Sequence, residues 1–149
     1  MTESTIDVTG QTVVIIGGTS GIGLEIGRAF AREGADVVAT SRSAEKVEDA
    51  ADELRELGAE TVEVTCNVRE LESIENLCET VEAELGQPDV LVNSAGSVAA
   101  SPVTEMSEDE WAQDIDVCLS GVFRATKVFG RAMEEGSIVN ISSMSARQS

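Results

Sequence analysis

The strongest constraint on the fold is an alternation: short β-branched runs take turns with longer segments of helical period along the 149 residues. The run Thr12–Ile16 (TVVII) is continuously apolar and ends on glycines, the pattern of a strand buried on both faces. A helix is expected from about residue 22 to 33, stopped by Gly34, and a second strand over 36–40 (DVVAT). Residues 44–57 set Val47, Ala50, Ala51, Leu54 and Leu57 on one stripe, with Gly58 as the C-terminal stop. A third strand is expected over 60–66. The next helical stripe carries Leu71, Ile74, Cys78, Val81 and Leu85 and closes at Gly86, before a fourth strand over 89–92 (DVLV).

Ser107, with Glu110 three residues on, opens a capping box ahead of a long apolar-periodic run. That helix places Trp111, Ile115, Cys118, Val122 and Phe129 on one stripe and Leu119 and Phe123 on an adjoining one. The arc is wider than one buried face needs, so it predicts contact with the sheet on one side and another helix or subunit on the other. A fifth strand is expected over 137–142 (SIVNIS). The alternation predicts an α/β fold: a doubly wound parallel sheet of about five strands with helices on both faces. Residues 1–10 read as a flexible N-terminal segment and 11–149 as one domain.

Charge narrows the function. There are 28 acidic residues against 10 basic ones, a formal charge of −18, and neither histidine nor tyrosine occurs. Such a surplus argues against nucleic acid and against an anionic membrane surface as partners, since each phosphate would be repelled. The acids gather on helix faces, Glu45, Glu48, Asp49, Asp52, Glu53 and Glu56 among them. Acid-rich, lysine-poor surfaces of this kind resemble those of proteins from salt-loving organisms, where ionic strength screens the self-repulsion. Cys66, Cys78 and Cys118 have no metal-ligand spacing and read as reduced thiols of an intracellular protein. The polar, acidic N-terminus is no signal peptide and the apolar runs are too short to span a bilayer, so a cytoplasmic location is expected.

The segment VVIIGGTSGIGLEIGRAF holds Gly17, Gly21 and Gly23 between an apolar strand and an amphipathic helix. Glycines there permit a tight turn and a close backbone approach to a pyrophosphate, while the helix start offers unpaired N–H groups and its positive dipole end. Strand, glycine loop and helix together make the pattern far more specific than the glycines alone.

These residues resemble the short-chain dehydrogenase/reductase family, whose fingerprint is Thr-Gly-x-x-x-Gly-x-Gly; here Ile16 stands at the threonine, and Gly17, Thr19, Ser20, Gly21, Ile22 and Gly23 follow. Asn93-Ser94-Ala95-Gly96 is similar to the family's Asn-Asn-Ala-Gly, and residues 111–123 and 136–143 match further segments in order and spacing. Within the family, the chain looks most like 3-oxoacyl carrier-protein reductases. The resemblance implies a Rossmann-like fold and a dinucleotide cofactor held by those residues, with Asn67 and Val68 at the adenine. Ser41 occupies the position of the acidic residue that selects NAD, and Arg42 beside it suits a 2′-phosphate, so NADP is favoured over NAD.

The resemblance further implies hydride transfer between NADP(H) and a small alcohol or carbonyl compound. Ser143 matches the family's carbonyl-polarising serine, and Cys118 stands where the family has an asparagine. The family's Tyr-x-x-x-Lys pair belongs about a dozen residues past Ser143, outside these 149 residues. The expectation is therefore a fragment or shortened product with little activity alone. The alternatives are a non-catalytic NADP(H)-binding module, or half of a split enzyme that needs a C-terminal partner chain. Self-association through the helix that starts near Ser107 is also expected, because nothing in the sequence covers its second apolar stripe.

Overall fold

A computed structural model describes residues 7–146. It contains a four-stranded, wholly parallel sheet with helices on both faces: β1 (Thr12–Ile16), α1 (Gly21–Arg32), β2 (Asp36–Thr40), α2 (Ala44–Glu56), α3 (Leu71–Glu84), β3 (Val90–Asn93), α4 (Glu108–Ile115), α5 (Gly121–Ala132) and β4 (Ser137–Asn140). The strand order is β2-β1-β3-β4. The chain moves outward from β1 to β2, then returns past β1 to begin β3. That reversal puts a switch point at the C-terminal ends of β1 and β3, where doubly wound sheets open a crevice.

Every residue of β1 is buried, because its side chains serve two cores. Val13 and Ile15 pack with Val37, Leu54 and Ala31 under α1 and α2. Val14 and Ile16 pack with Ile74, Leu77, Val81, Leu91 and Phe129 under α3 and α5. The period-2 alternation of a strand thus becomes a helix layer on each side.

The strand expected over 60–66 is a correction. The segment runs extended beside β2 but bonds to it only near its ends: the Val37 amide donates to the Glu60 carbonyl (3.1 Å), and the Cys66 amide donates to the Ser41 carbonyl (2.9 Å). Side chains take the places ladder bonds would fill. The Thr40 hydroxyl donates to the Val64 carbonyl, and Asp36 Oδ1 accepts from the Glu60 amide at 3.0 Å. The sheet therefore has four strands rather than five.

The long helix expected from Ser107 forms, with one departure inside it. Its capping box forms as read: Ser107 Oγ accepts from the Glu110 amide and Glu110 accepts from the Ser107 amide. After α4, however, residues Asp116–Ser120 make a turn of π-helix before α5 begins. The wider turn rotates everything downstream relative to a 3.6-residue period. In α5, Phe129 faces the core with Ala125 and is 0% exposed, while Phe123 (65%) and, in the π turn, Leu119 (64%) face outward. Phe129 thus packs inward, and the second stripe, Leu119 and Phe123, is the one left uncovered.

Residues 1–6 of the expected flexible segment lie outside the described residues. Next to them, the Gly10 amide donates to the Gly34 carbonyl at 2.9 Å. This bond ties the start of the domain to the α1–β2 corner. Among the described residues, no helix is long and apolar enough to cross a membrane.

Candidate functional site

At the C-terminal ends of β1, β2 and β3 the structure opens a cleft of about 590 Å3. Its first wall is the glycine loop. The Gly17 and Gly18 amides both donate to the Thr40 carbonyl (2.9 and 3.1 Å), which folds the loop back over the end of β2. Gly17 has φ +82° and Gly21 φ +54°, backbone that L side chains rarely adopt. A Cβ on Gly17 would sit 2.4 Å from the Ala95 amide nitrogen, so the absent side chain lets the loop rest against the segment after β3. The Ser20 side chain does not cap α1. The first-turn N–H groups of α1 are thus left for whatever enters beside Thr19, Ser20 and Ile22, which line the cleft.

The second wall is the end of β2 and the start of α2, where Ser41, Arg42, Ser43 and Lys46 line the cleft. Ser43 caps α2, accepting from the Lys46 amide at 3.4 Å. Cys66, Asn67 and Val68 form the neighbouring lining. Asn67 is held in a local turn: its Oδ1 accepts from the Arg69 amide (3.2 Å) and its Nδ2 donates to Glu70 (3.0 Å). Val68 is fixed from the other side, where its carbonyl accepts from Arg124 at 3.1 Å. Asp116 pairs with both Arg124 (2.8 Å) and Arg69 (3.1 Å). These two guanidiniums hold the Asp116 carboxyl below the usual carboxylate range, Arg124 contributing most. Burial pushes the Cys66 thiol up to about 11. It therefore lines the cleft as a neutral group and not as a nucleophile.

The third wall follows β3. Ser94, Ala95 and Gly96 line the cleft with Ser97, and the Ser94 amide donates to the Ile16 carbonyl at 2.8 Å. Helix α4 and the π turn grip this segment. Asp114 accepts from Ser97 Oγ (2.7 Å) and from the Ala99 amide (2.9 Å). Cys118 Sγ accepts from the Ser97 amide at 3.4 Å and donates to the Ser97 carbonyl at 3.3 Å.

Four of the residues singled out in the sequence do not line the cleft. Gly23 lies under it, packed on the Gly17 carbonyl. Asn93 is buried, its Nδ2 donating to Asn140 Oδ1 at 2.9 Å and so tying β3 to β4. Cys118 acts on the lining through Ser97. Ser143 is exposed beyond β4, where its hydroxyl accepts from the Ser145 amide at 3.1 Å. Lys46, Ser97, Gln113 and Ile141 join the lining unannounced. Lys46 carried a sequence signal, as a cation in the turn after Arg42, but a charged residue on a helix surface is usually no more than a solvated one.

The parallel sheet, the switch-point cleft and the glycine turn under an uncapped helix define a Rossmann-type α/β domain built to receive an anionic ligand. The family model for short chain dehydrogenases matches residues 11–149. The chain belongs to that family. It is 38% identical over 143 residues to a provisionally named ketoacyl reductase of Streptomyces coelicolor, covering 93% of this chain and 55% of that protein. It is 40% identical over 144 residues to an indene-carboxyl-CoA reductase of Mycobacterium tuberculosis, covering 91% of this chain and 54% of that one. An actinorhodin polyketide ketoreductase variant solved with NADPH superposes with a TM-score of 0.88 at 38% identity, over 93% of this chain and 55% of that one. The chain thus spans about half the length of the relatives it matches.

Proposed function

We propose that the cleft holds NADP(H) in preference to NAD(H), and that the chain is the cofactor-binding part of an oxidoreductase acting on an alcohol or carbonyl compound. One observation carries the cofactor choice: the rim beyond β2 offers Ser41 and Arg42, with no carboxylate among the described residues lining the cleft. A carboxylate there would accept from both ribose hydroxyls and repel a 2′-phosphate, whereas a guanidinium donates to it in a planar fork. The ketoreductase solved with NADPH supports the same choice.

The cradle fits the group. Gly17, Gly21 and the first turn of α1 suit the pyrophosphate, Asn67 and Val68 the adenine, and Ser94 to Gly96 the nicotinamide half. The nicotinamide, when bound, supplies the hydride chemistry. Proton delivery to a carbonyl oxygen needs a general acid, and the sequence contains neither tyrosine nor histidine. We accordingly assign these residues binding and orientation of the cofactor, with little or no turnover by the 149 residues alone.

Titration with NADPH and NADH tests this reading. Arg42→Ala is expected to weaken NADPH about tenfold or more and NADH less than twofold. Equal losses for the two cofactors would defeat the assignment.

A further inference from the structure

Among the described residues, no acidic side chain lines the cleft, yet two cations do, Arg42 and Lys46. Both stand on the same wall, four residues apart, with Ser41 and Ser43 beside them. Of the other described cations, Arg28, Arg55, Arg69 and Arg124 each pair with at least one carboxylate, while Arg32, Lys127 and Arg131 are unpaired but do not line the cleft. Among the described residues, neither Arg42 nor Lys46 has an acidic group within 4.0 Å. In a chain of charge −18, that segregation makes this rim a local positive field in an otherwise repelling surface.

We propose that Lys46 is a second cation for the 2′-phosphate of NADP(H), so that cofactor selectivity is shared between Arg42 and Lys46. The proposal rests on the NADP reading and deepens it. Lys46 belongs to the first turn of α2, and its amide is held by the Ser43 cap. Its backbone position is therefore set before any ligand arrives, while its exposed four-carbon side chain stays free to reach. The two groups differ in kind: Arg42 presents a planar fork, Lys46 a compact point charge. A dianionic phosphate can be met by both at once, which one guanidinium alone does not achieve.

Calorimetric titration of the full chain at high salt with adenosine 2′,5′-bisphosphate and with adenosine 5′-monophosphate tests this without any catalysis. Both ligands carry the adenosine and the 5′-phosphate; only the first carries the 2′-phosphate. Lys46→Ala is expected to weaken the bisphosphate about tenfold and leave the monophosphate within twofold, while Lys46→Arg retains most of the affinity. A wild-type preference for the bisphosphate that Lys46→Ala leaves intact would overturn the role of Lys46 alone. Equal losses for both ligands would also overturn it. A wild type that binds both ligands equally, or binds neither, would overturn the NADP reading and this proposal with it.

Discussion

Gly23 sits so close to Gly17 that a Cβ added to it would lie 2.1 Å from the Gly17 carbonyl oxygen. Backbone meets backbone there, so a side chain cannot turn aside to relieve the clash. Gly23→Ala must move the loop or the start of α1, at a cost of about 1–3 kcal/mol as for other overpacked sites. The expected result is a Tm lower by several degrees and NADPH binding weakened at least tenfold, read by calorimetry. Gly130→Ala is the control, because Gly130 is exposed inside α5, has an ordinary helical φ and open space at its Cβ. It should raise stability by up to ~1 kcal/mol and leave binding unchanged.

Asp116 joins the π turn to Arg69 and Arg124, and through them to the loop carrying Asn67 and Val68. Its carboxyl is held below the usual carboxylate range, chiefly by the hydrogen bond from Arg124. The sign follows from linkage. A depressed folded value means the ionised form is favoured in the fold, so its contribution is complete above about pH 4 and fades as pH falls through the folded value. Wild type should therefore be more stable than Asp116→Asn at pH 7, with the gap narrowing below pH 4 in denaturant titrations. A gap that stays constant down to pH 3 would contradict this role.

Phe129 and Phe123 lie on one helix with opposite fates, 0% and 65% exposed. Phe129→Ala should cost about 3–5 kcal/mol, enough to unfold much of a marginally stable domain. Phe123→Ala should change stability by less than about 0.5 kcal/mol, as surface substitutions usually do. Urea unfolding of the two variants separates the cases, and equal losses would contradict the facing of α5 against the sheet.

The acidic surface predicts a salt response. At about 0.1 M salt the screening length is near 10 Å, and at about 1 M it falls to about 3 Å, which quenches repulsion between acids on neighbouring turns. Melting followed by circular dichroism should show Tm rising steadily with KCl. A flat or falling Tm would mean that the charge surplus carries no self-repulsion cost.

Much of this was readable from residue order. The β-branched runs at 12–16 and 36–40 are strands because they fill two cores at once, and the glycine stops at 34, 58 and 86 all adopt positive φ. Periodicity failed where the structure departs from a single period. One π turn at Asp116–Ser120 is invisible to a 3.6-residue count, yet it leaves Trp111 on the predicted core stripe 55% exposed while Phe129 on the same stripe is buried. The segment over 60–66 has the composition of a strand, but Thr40 and Asp36 side chains occupy its backbone partners. The glycine loop could be read because its turn is local. The contact of Gly17 with Ala95 spans distant parts of the chain, and Lys46 gains meaning only from a cleft that charge counting cannot draw.

The central claim is that the cofactor lies across the glycine loop, the rim beyond β2 and the segment after β3. Backbone amide NMR of the isotope-labelled 15.7 kDa chain at high salt, titrated with NADPH, tests it residue by residue. Saturable shifts are expected at Gly17 to Gly23, at Ser41 to Lys46 and at Ser94 to Ser97, with Leu119, Phe123 and Ile138 unmoved. No saturable shift, or shifts confined to the exposed face of α5 and β4, would contradict it.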